Sequence, residues 1–312
     1  MDKNKIKILS VNISEKKGVI KHPVKEIVLN SKGIVGDAHA GYWHRQVSLL
    51  GIESIEKFEK LANRKINYGE FAENITTKGI ELYKTKPFDR FKIGELELEV
   101  TQIGKKCHGD SCTIFREIGN CVMPKEGIFC RVIKPGKIVP GNIMFYYPKV
   151  FNILVITLSD RASKGEYKDK SGPKIKELAE NYFKEINWKF KIENKIIPDD
   201  PEILKNLLLN ARENNIDVIF TTGGTGIGPR DFTPEVVKSV MDKEIPGIME
   251  LIRLKYGQKK PNALLSRGVA GVMGNSLIYS LPGSVKAVNE YMSEITKTLQ
   301  HLVFMLFGLD VH

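Results

Sequence analysis

The chain has 312 residues, 42% hydrophobic and 27% charged, with a formal net charge of +11. That length accommodates two domains with separate cores, and no apolar run approaches the roughly 18 residues of a bilayer-spanning helix. The positive excess is scattered lysine with no basic stripe interleaved with aromatics, which argues against nucleic acid as a partner. The first residues, Met1-Asp2-Lys3-Asn4-Lys5-Ile6-Lys7, carry charges with no apolar stretch behind them, so a cytoplasmic protein without a secretory leader is expected. All four cysteines fall at 107, 112, 121 and 130. That spacing lacks the paired C-x2-C of a zinc site, and a disulfide framework is not expected in a chain of this size and compartment.

Residues 1–148 read as short alternating strands around 7–11, 24–29, 97–100 and 128–133, punctuated by Gly94, Pro124, Gly127, Pro135-Gly136 and Pro140-Gly141. One helix stands out over 52–63, with Ile55, Phe58 and Leu61 on a common face. Many strands and few helices predict a mainly-β barrel. Two polar stretches interrupt it. Residues 36–48, Gly-Asp-Ala-His-Ala-Gly-Tyr-Trp-His-Arg-Gln-Val-Ser, offer histidines, Arg45 and Trp43 to an anionic, planar ligand; the alternative is a polar loop around a buried Trp. In residues 103–112, Cys107 follows Lys105 and Lys106 and precedes His108. Neighbouring cations favour the thiolate, so Cys107 is the candidate reactive thiol, with an inert buried cysteine as the other reading. Cys130 fits that inert reading, on a strand with Ile128 and Val132.

Near residues 147–149 the pattern changes to strands alternating with helices over 151–312. This predicts an α/β domain of three layers with a mostly parallel sheet. Strands are expected at 153–158, ending at 196–197, at 216–220 and at 277–281. A helix opened by Pro173 carries Ile175, Leu178, Ala179, Tyr182, Phe183 and Ile186 at the 3.6 period, and a second directs Ile203, Leu204, Leu207, Leu208 and Ala211 inward. The third strand runs into Thr221-Thr222-Gly223-Gly224-Thr225-Gly226-Ile227-Gly228-Pro229-Arg230-Asp231, then Thr233-Pro234, an N-cap followed by proline at the first helical position. Glycines there let a ligand approach the backbone and leave N–H groups for an anion. No Gly-Lys-[Ser/Thr] closes the loop, so it is no Walker A motif.

The unusual polar residues gather beyond the carboxyl ends of the predicted parallel strands: Ser159-Asp160, Pro198-Asp199, Gly223–Asp231 and Ser280–Gly283. That edge is where open α/β sheets bind ligands. Asp199 and Asp231 would flank a glycine-lined anion site, where paired carboxylates commonly hold Mg2+. Taken alone, Asp199 in Pro-Asp-Asp is also an ordinary turn residue.

Two resemblances follow from these motifs. G-D-A-H-A-G-x-W-H-R-Q-V-S, Phe71–Thr77 and I-G-K-K-C-H resemble the MOSC domain, the molybdenum cofactor sulfurase C-terminal family, over nearly all of 1–147. The resemblance implies a β-barrel and a cysteine that carries or binds sulfur for the cofactor; Cys107 matches it best, with Cys112 and Cys121 as the alternatives. S-D-R-A-S-x-G at 159–165, D-x-S-G at 169–172, P-D at 198–199, T-G-G-T-G at 222–226, R-D-x-T-P-E at 230–235, L-S-R at 265–267 and L-P-G at 281–283 resemble the MogA/MoaB-type molybdopterin adenylyltransferases. This implies Mg2+- and ATP-dependent adenylylation of molybdopterin, usually in a homotrimer built through this domain. Asp199 and Asp231 match the family's important aspartates. Ser159, Asp160, Ser163, Gly223, Gly224, Thr225, Gly226, Ser266, Pro282 and Gly283 fall in motifs that contact pterin and nucleotide. Molybdenum cofactor enzymes or an insertase would take the product. A non-catalytic molybdopterin carrier is the alternative function.

Overall fold

The computed structural model describes residues 4–106 and 121–309; Cys107, His108 and Cys112 therefore lie outside the described residues. The chain divides into two units, one running to Lys149 and the other spanning Val150–Gly308.

In the first unit seven strands close on themselves. Their order is Ile143–Tyr147, Arg90–Ile93, Leu96–Ile103, Ile128–Lys134, Val47–Gly51, Ile75–Lys78 and Lys5–Ile13, and the last returns to the first with Lys5 opposite Phe145. The one parallel pair in the ring is Val47–Gly51 with Ile75–Lys78. Parallel neighbours need a crossover, and the helix Ile52–Ala62 supplies it. Alternate side chains fill the interior: Ile6, Ile8, Leu49, Ile75, Phe91, Leu98, Val100 and Ile128 are buried together. Closure removes the exposed edges that an open sheet would have.

Two expectations need correction here. The reading of one strand over 24–29 gives way to two, His22–Val24 and Ile27–Asn30, which join different sheets. Consecutive exposed Lys25 and Glu26 break the period-2 alternation between them. In the helix, Ile55 and Phe58 are buried but Leu61 is 78% exposed, and the helix stops just beyond at Asn63 in the left-handed region.

The second unit is a six-stranded sheet in the order Lys189–Ile197, Val150–Leu158, Val218–Thr222, Ser276–Leu281, Ala270–Met273 and Lys243–Glu244. The first four are mutually parallel; the last two are an antiparallel edge that periodicity had not revealed. One face packs on helices Pro201–Glu213 and Thr233–Val240 through Leu154, Ile156, Ile219 and Ile278 against Leu204, Leu208 and Val237. On the other, Phe151 meets Phe183 and stacks on Trp188, and Trp188 meets Phe304, so helices Ser171–Glu185 and Val285–Leu306 close the third layer.

Several boundaries shift for physical reasons. The central strand runs two residues further than its apolar core because Thr221 and Thr222 are β-branched, fully buried and in register with Ser280 and Leu281. Ser159–Gly165 is a helical turn, Asp160–Ser163, rather than a loop. The next helix begins at Ser171, before Pro173: Asp169 accepts from the N–H groups of Ser171 (2.9 Å) and Gly172 (3.2 Å) and supplies its start. Ile203 is 42% exposed rather than inward. Phe232, not Thr233, is the N-cap of Thr233–Val240; the Thr233 side chain is instead buried against the glycine turn.

Candidate active site

The four loops picked out by sequence do follow the ends of the parallel strands at Leu158, Ile197, Thr222 and Leu281. A cleft of about 530 Å³ opens there, lined by Gly223, Gly224, Thr225, Gly226 and Asp231, by Ser266, and by Pro282 and Gly283. Sequence reading had named all eight. Ser159, Asp160, Ser163 and Asp199 do not line it.

The glycine turn is held by its carbonyls. Arg267 donates from its backbone N–H to Thr225 (3.0 Å) and from its guanidinium to the carbonyls of Gly226 (2.6 Å) and Asp231 (2.5 Å). The same guanidinium pairs with Glu235. With their carbonyls occupied on that side, the N–H groups of Gly224, Thr225 and Gly226 donate to no protein acceptor among the described residues. Successive unpaired amides form a concavity suited to an anion.

Gly223 and Gly224 sit at φ +105° and +63°. At Gly224 a Cβ would stand 2.4 Å from the Thr233 hydroxyl. That hydroxyl is fully buried and has no partner among the described residues, and Thr233 N–H bonds the Gly224 carbonyl at 3.1 Å. Glycine is therefore required twice over, by conformation and by space. The turn is also joined to the loop after the fourth parallel strand: Gly223 N–H donates to Leu281 (3.1 Å), and the Thr222 hydroxyl to Pro282 (3.0 Å).

The two aspartates are presented differently. Asp231 accepts the Gly228 N–H on Oδ2 at 2.8 Å, which aims its carboxylate back over the turn. Asp199 exchanges bonds with Asp160: Asp160 N–H donates to Asp199 Oδ2 (3.1 Å), and Asp199 N–H to Asp160 Oδ1 (3.0 Å). Arg230 then pairs with Asp160 Oδ2 at 3.1 Å. Asp199 is thus linked to the residue preceding Asp231, but only Asp231 reaches the cleft. The hydroxyls of Ser159 and Ser163 are spent inside the helical turn, on Ala162 N–H (3.2 Å, accepting) and the Asp160 carbonyl (2.9 Å, donating).

No group of three His, Cys, Asp or Glu among the described residues could enclose a metal ion. In Asp199 and Asp231 one carboxylate oxygen is fixed by a backbone N–H and the other has no partner among the described residues. Hard, oxygen-bearing ligands that leave positions for water and phosphate suit Mg2+ better than a full protein cage does.

Sequence reading missed the opposite wall. Tyr291, 4% exposed, donates to Ser266 Oγ at 2.7 Å, and burial pushes its phenol above the ordinary range. That bond occupies an acceptor site of Ser266, leaving the serine proton for another acceptor. Lys260, Asn262, Ser284, Lys286 and Glu290 complete the rim. These residues, in and just before a 3-10 turn at Pro261–Leu265 and the start of Val285–Leu306, fall outside the glycine turn and the quoted motifs.

In the barrel, the stretch at 36–48 divides its polar groups. Asp37 is buried and pairs with buried Lys21. It accepts from Asn74 Nδ2 (3.0 Å) and from the N–H groups of Ser14 (3.1 Å) and His39 (2.9 Å). Burial is the largest influence on Asp37 and pushes its carboxyl up, but His39 and Lys21 together hold it well below the usual range. Trp43 is 37% exposed, not buried; it donates to the His39 carbonyl at 2.8 Å and has the Arg45 guanidinium 4.9 Å from its ring centre. Cys130 is fully buried, and burial raises its thiol far above the ordinary value, as an inert cysteine requires. Cys121 is half-buried.

Residues 154–301 match the family model described as "Probable molybdopterin binding domain", and residues 36–144 match that of the MOSC domain. A molybdopterin adenylyltransferase of Helicobacter pylori (strain J99) is 37% identical over 161 residues, 51% of this chain and 90% of that protein. Molybdenum cofactor biosynthesis protein B of Staphylococcus carnosus is 42% identical over 156 residues, 49% of this chain and 88% of the relative. Among solved structures, the molybdopterin biosynthesis enzyme MoaB of Thermus thermophilus is similar at 38% identity and a TM-score of 0.46, covering 51% of this chain and 98% of its own. By its second half this chain belongs to the molybdopterin adenylyltransferase family, and in the same polypeptide it carries a MOSC domain.

Proposed function

We propose that the second unit adenylylates molybdopterin with ATP and Mg2+, the chain acting in molybdenum cofactor biosynthesis as two functional domains, 1–148 and 151–312. A phosphate oxygen of the pterin attacks the α-phosphorus of ATP. The new P–O bond forms as the bond to the β-phosphate oxygen breaks, and pyrophosphate leaves with that electron pair. Joining two anions requires them to be held side by side while charge builds, and it needs no protein nucleophile. The observation that carries this reading is the row of unpaired N–H groups at Gly224, Thr225 and Gly226, beside the Asp231 carboxylate and inside a cleft.

Each residue has a task in that reaction. Arg267 keeps the turn's amides facing the ligand by binding its carbonyls. Ser266, with an acceptor site filled by Tyr291, donates its proton to the pterin or its phosphate. Asp231 would hold Mg2+ at the cleft, and the ion supplies charge neutralisation at the phosphates when bound; Asp199, outside the cleft lining and bonded to Asp160, would assist from the neighbouring strand end. The MOSC unit binds the cofactor or carries its sulfur on Cys107, Cys112 or Cys121; the protein works in the cytoplasm as a homotrimer through the second unit. Product passes to molybdenum cofactor enzymes or an insertase. The test is incubation of the full chain with molybdopterin, ATP and Mg2+, followed by mass analysis of the pterin. A pterin heavier by one adenylyl group is expected; an unchanged pterin with retained binding would make the protein a carrier.

A further inference from the structure

Lys260 and Lys286 come from unrelated parts of the chain and meet on the rim of the cleft. Lys260 follows the helix Pro246–Gly257, and its backbone is tied on both sides: its N–H donates to Tyr256 (2.9 Å) and its carbonyl accepts from Ala263 (2.9 Å). Lys286 is the second residue of Val285–Leu306. Its nearest carboxylate is Glu290, one turn along at 3.9 Å. Lys260 is the chief influence holding the Lys286 ammonium below its ordinary range. Both placements are electrostatically unfavourable in the free protein: like charges repel, and a cation at a helix N-terminus opposes the macrodipole. Exposed lysines on flexible stems ordinarily splay apart. Here they share one end of a cavity.

A second row of open donors lies at the same end. The N–H groups of Gly283, Ser284, Val285 and Lys286 donate to no acceptor among the described residues. This row adjoins the glycine turn: a Cβ on Gly283 would lie 3.6 Å from the Gly223 Cα. The cleft thus has two adjacent anion cradles, of which the one at the Gly283–Lys286 end alone carries ammonium groups. A single phosphate monoester fits one cradle; a chain of phosphates is long enough to reach from one into the other.

We propose that Lys260 and Lys286, with the Gly283–Lys286 amides, form a polyphosphate subsite that holds the β- and γ-phosphates of the nucleotide and then the pyrophosphate it releases. The assignment rests on the adenylyl-transfer reading, with the α-phosphate taken to lie at the glycine turn beside the pterin phosphate that attacks it. Lysine acts on phosphate as a point charge. Two such charges beside each other are satisfied by an anion whose charge is spread over two phosphorus centres.

The experiment uses the full chain and titrates inorganic pyrophosphate, inorganic phosphate and AMP by calorimetry in magnesium-containing buffer. It compares the parent with Lys260→Gln, Lys286→Gln and the double variant, with thermal unfolding as the control for folding. Each single variant should weaken pyrophosphate at least tenfold and the double variant further, while AMP binds as in the parent and orthophosphate changes less than threefold. In turnover, each variant should raise the KM for ATP and the pyrophosphate concentration that inhibits. Pyrophosphate affinity within twofold of the parent in the double variant would overturn the subsite. So would a loss for orthophosphate as large as that for pyrophosphate, which would make the lysines a monoester site. Lysine-dependent pyrophosphate binding in a chain that forms no adenylylated pterin would sink the adenylylation reading and leave the subsite standing. Turnover whose ATP dependence ignores both lysines would do the reverse.

Discussion

The two units each gather charged and polar side chains that sequence reading had marked as functional, and they treat them in opposite ways. Around Asp37 in the barrel, donors and acceptors are matched: Lys21, Asn74 and the N–H groups of Ser14 and His39 all converge on one buried carboxylate. Around Gly224 in the α/β unit, the carbonyls are matched and the N–H groups are not. A polar group that is fully satisfied within the protein stabilises the fold; one left open in a cleft offers itself to a ligand. Residue type does not distinguish the cases, because Asp37 and Asp231 are both aspartates beside glycines. What distinguishes them is whether the surrounding chain has already supplied the partners.

The largest effect expected from this contrast is structural. Lys21→Met leaves a buried carboxylate without its cation, and breaking a buried pair in this way costs about 3–5 kcal/mol. The first unit should unfold earlier in denaturant, while nucleotide and pterin binding by the second unit stay unchanged. Asp37 is held below its ordinary value in the folded state. Its contribution is therefore complete above the unfolded carboxyl range, about pH 4, and is lost as pH falls through and below it. Barrel stability measured down that range should fall more steeply in the parent than in an Asp37→Asn variant. Equal slopes would mean that Asp37 is not the buried anion described here.

Next in size is Asp231→Asn, which keeps the side-chain volume and the acceptor for Gly228 N–H but removes the charge. A metal-held carboxylate contributes several kcal/mol in the transition state, so adenylylation should drop on the order of a hundredfold or more. Pterin binding, resting on the amides, should hold. If the variant turns over like the parent, Asp231 holds no metal. Omitting Mg2+ from the parent should reproduce the loss, and adding it back should not rescue the variant.

The glycine turn itself gives the third test, and the structure changes its meaning. A side chain at position 224 points at Thr233 rather than into the anion cradle. Gly224→Ala therefore displaces the helix start and strains a left-handed residue, costing about 1–2 kcal/mol. Binding of pyrophosphate and pterin should weaken together with stability. Loss of binding at unchanged stability would show instead that the side chain blocks the ligand.

How far the sequence alone reached follows the same division. Continuous apolar runs and the 3.6 period gave the parallel strands and the helices packed on them, because burial on both faces leaves a strong local pattern. The barrel was legible from alternation, though its closure, Lys5 opposite Phe145, joins residues 140 positions apart and leaves no local trace. Gly223–Gly226, Asp231, Ser266 and Pro282-Gly283 were legible because unusual backbone needs unusual residues. Lys260, Lys286 and Tyr291 were not: a lysine or tyrosine at an exposed or amphipathic helix position looks the same whether or not tertiary contacts bring it to a cleft. Asp199 was legible as a motif, yet its pairing with Asp160 became visible only when two strand ends were placed side by side.

The smallest expected effect separates an open hydroxyl from a satisfied one. Tyr291 is buried and its phenol donates to Ser266 Oγ. Tyr291→Phe keeps the ring and removes only that bond, worth about 1 kcal/mol, or roughly a fivefold change in an equilibrium. If Ser266 belongs with the open donors of the cleft, the loss should fall on pterin affinity and on KM for pterin, because the serine then turns its proton toward whichever neighbour accepts it. Stability should change little, since Ser266 Oγ keeps only a long contact, 3.4 Å, from Gly268 N–H in either case. A purely packing role would do the opposite, lowering Tm without moving KM. The decisive comparison is Tyr291→Phe made in a Ser266→Ala chain, where no hydroxyl remains to be positioned. There the tyrosine substitution should have no further effect on pterin KM. A fivefold effect that persists without Ser266 would mean that Tyr291 meets the pterin directly, and the serine's place among the open donors would have to be given up.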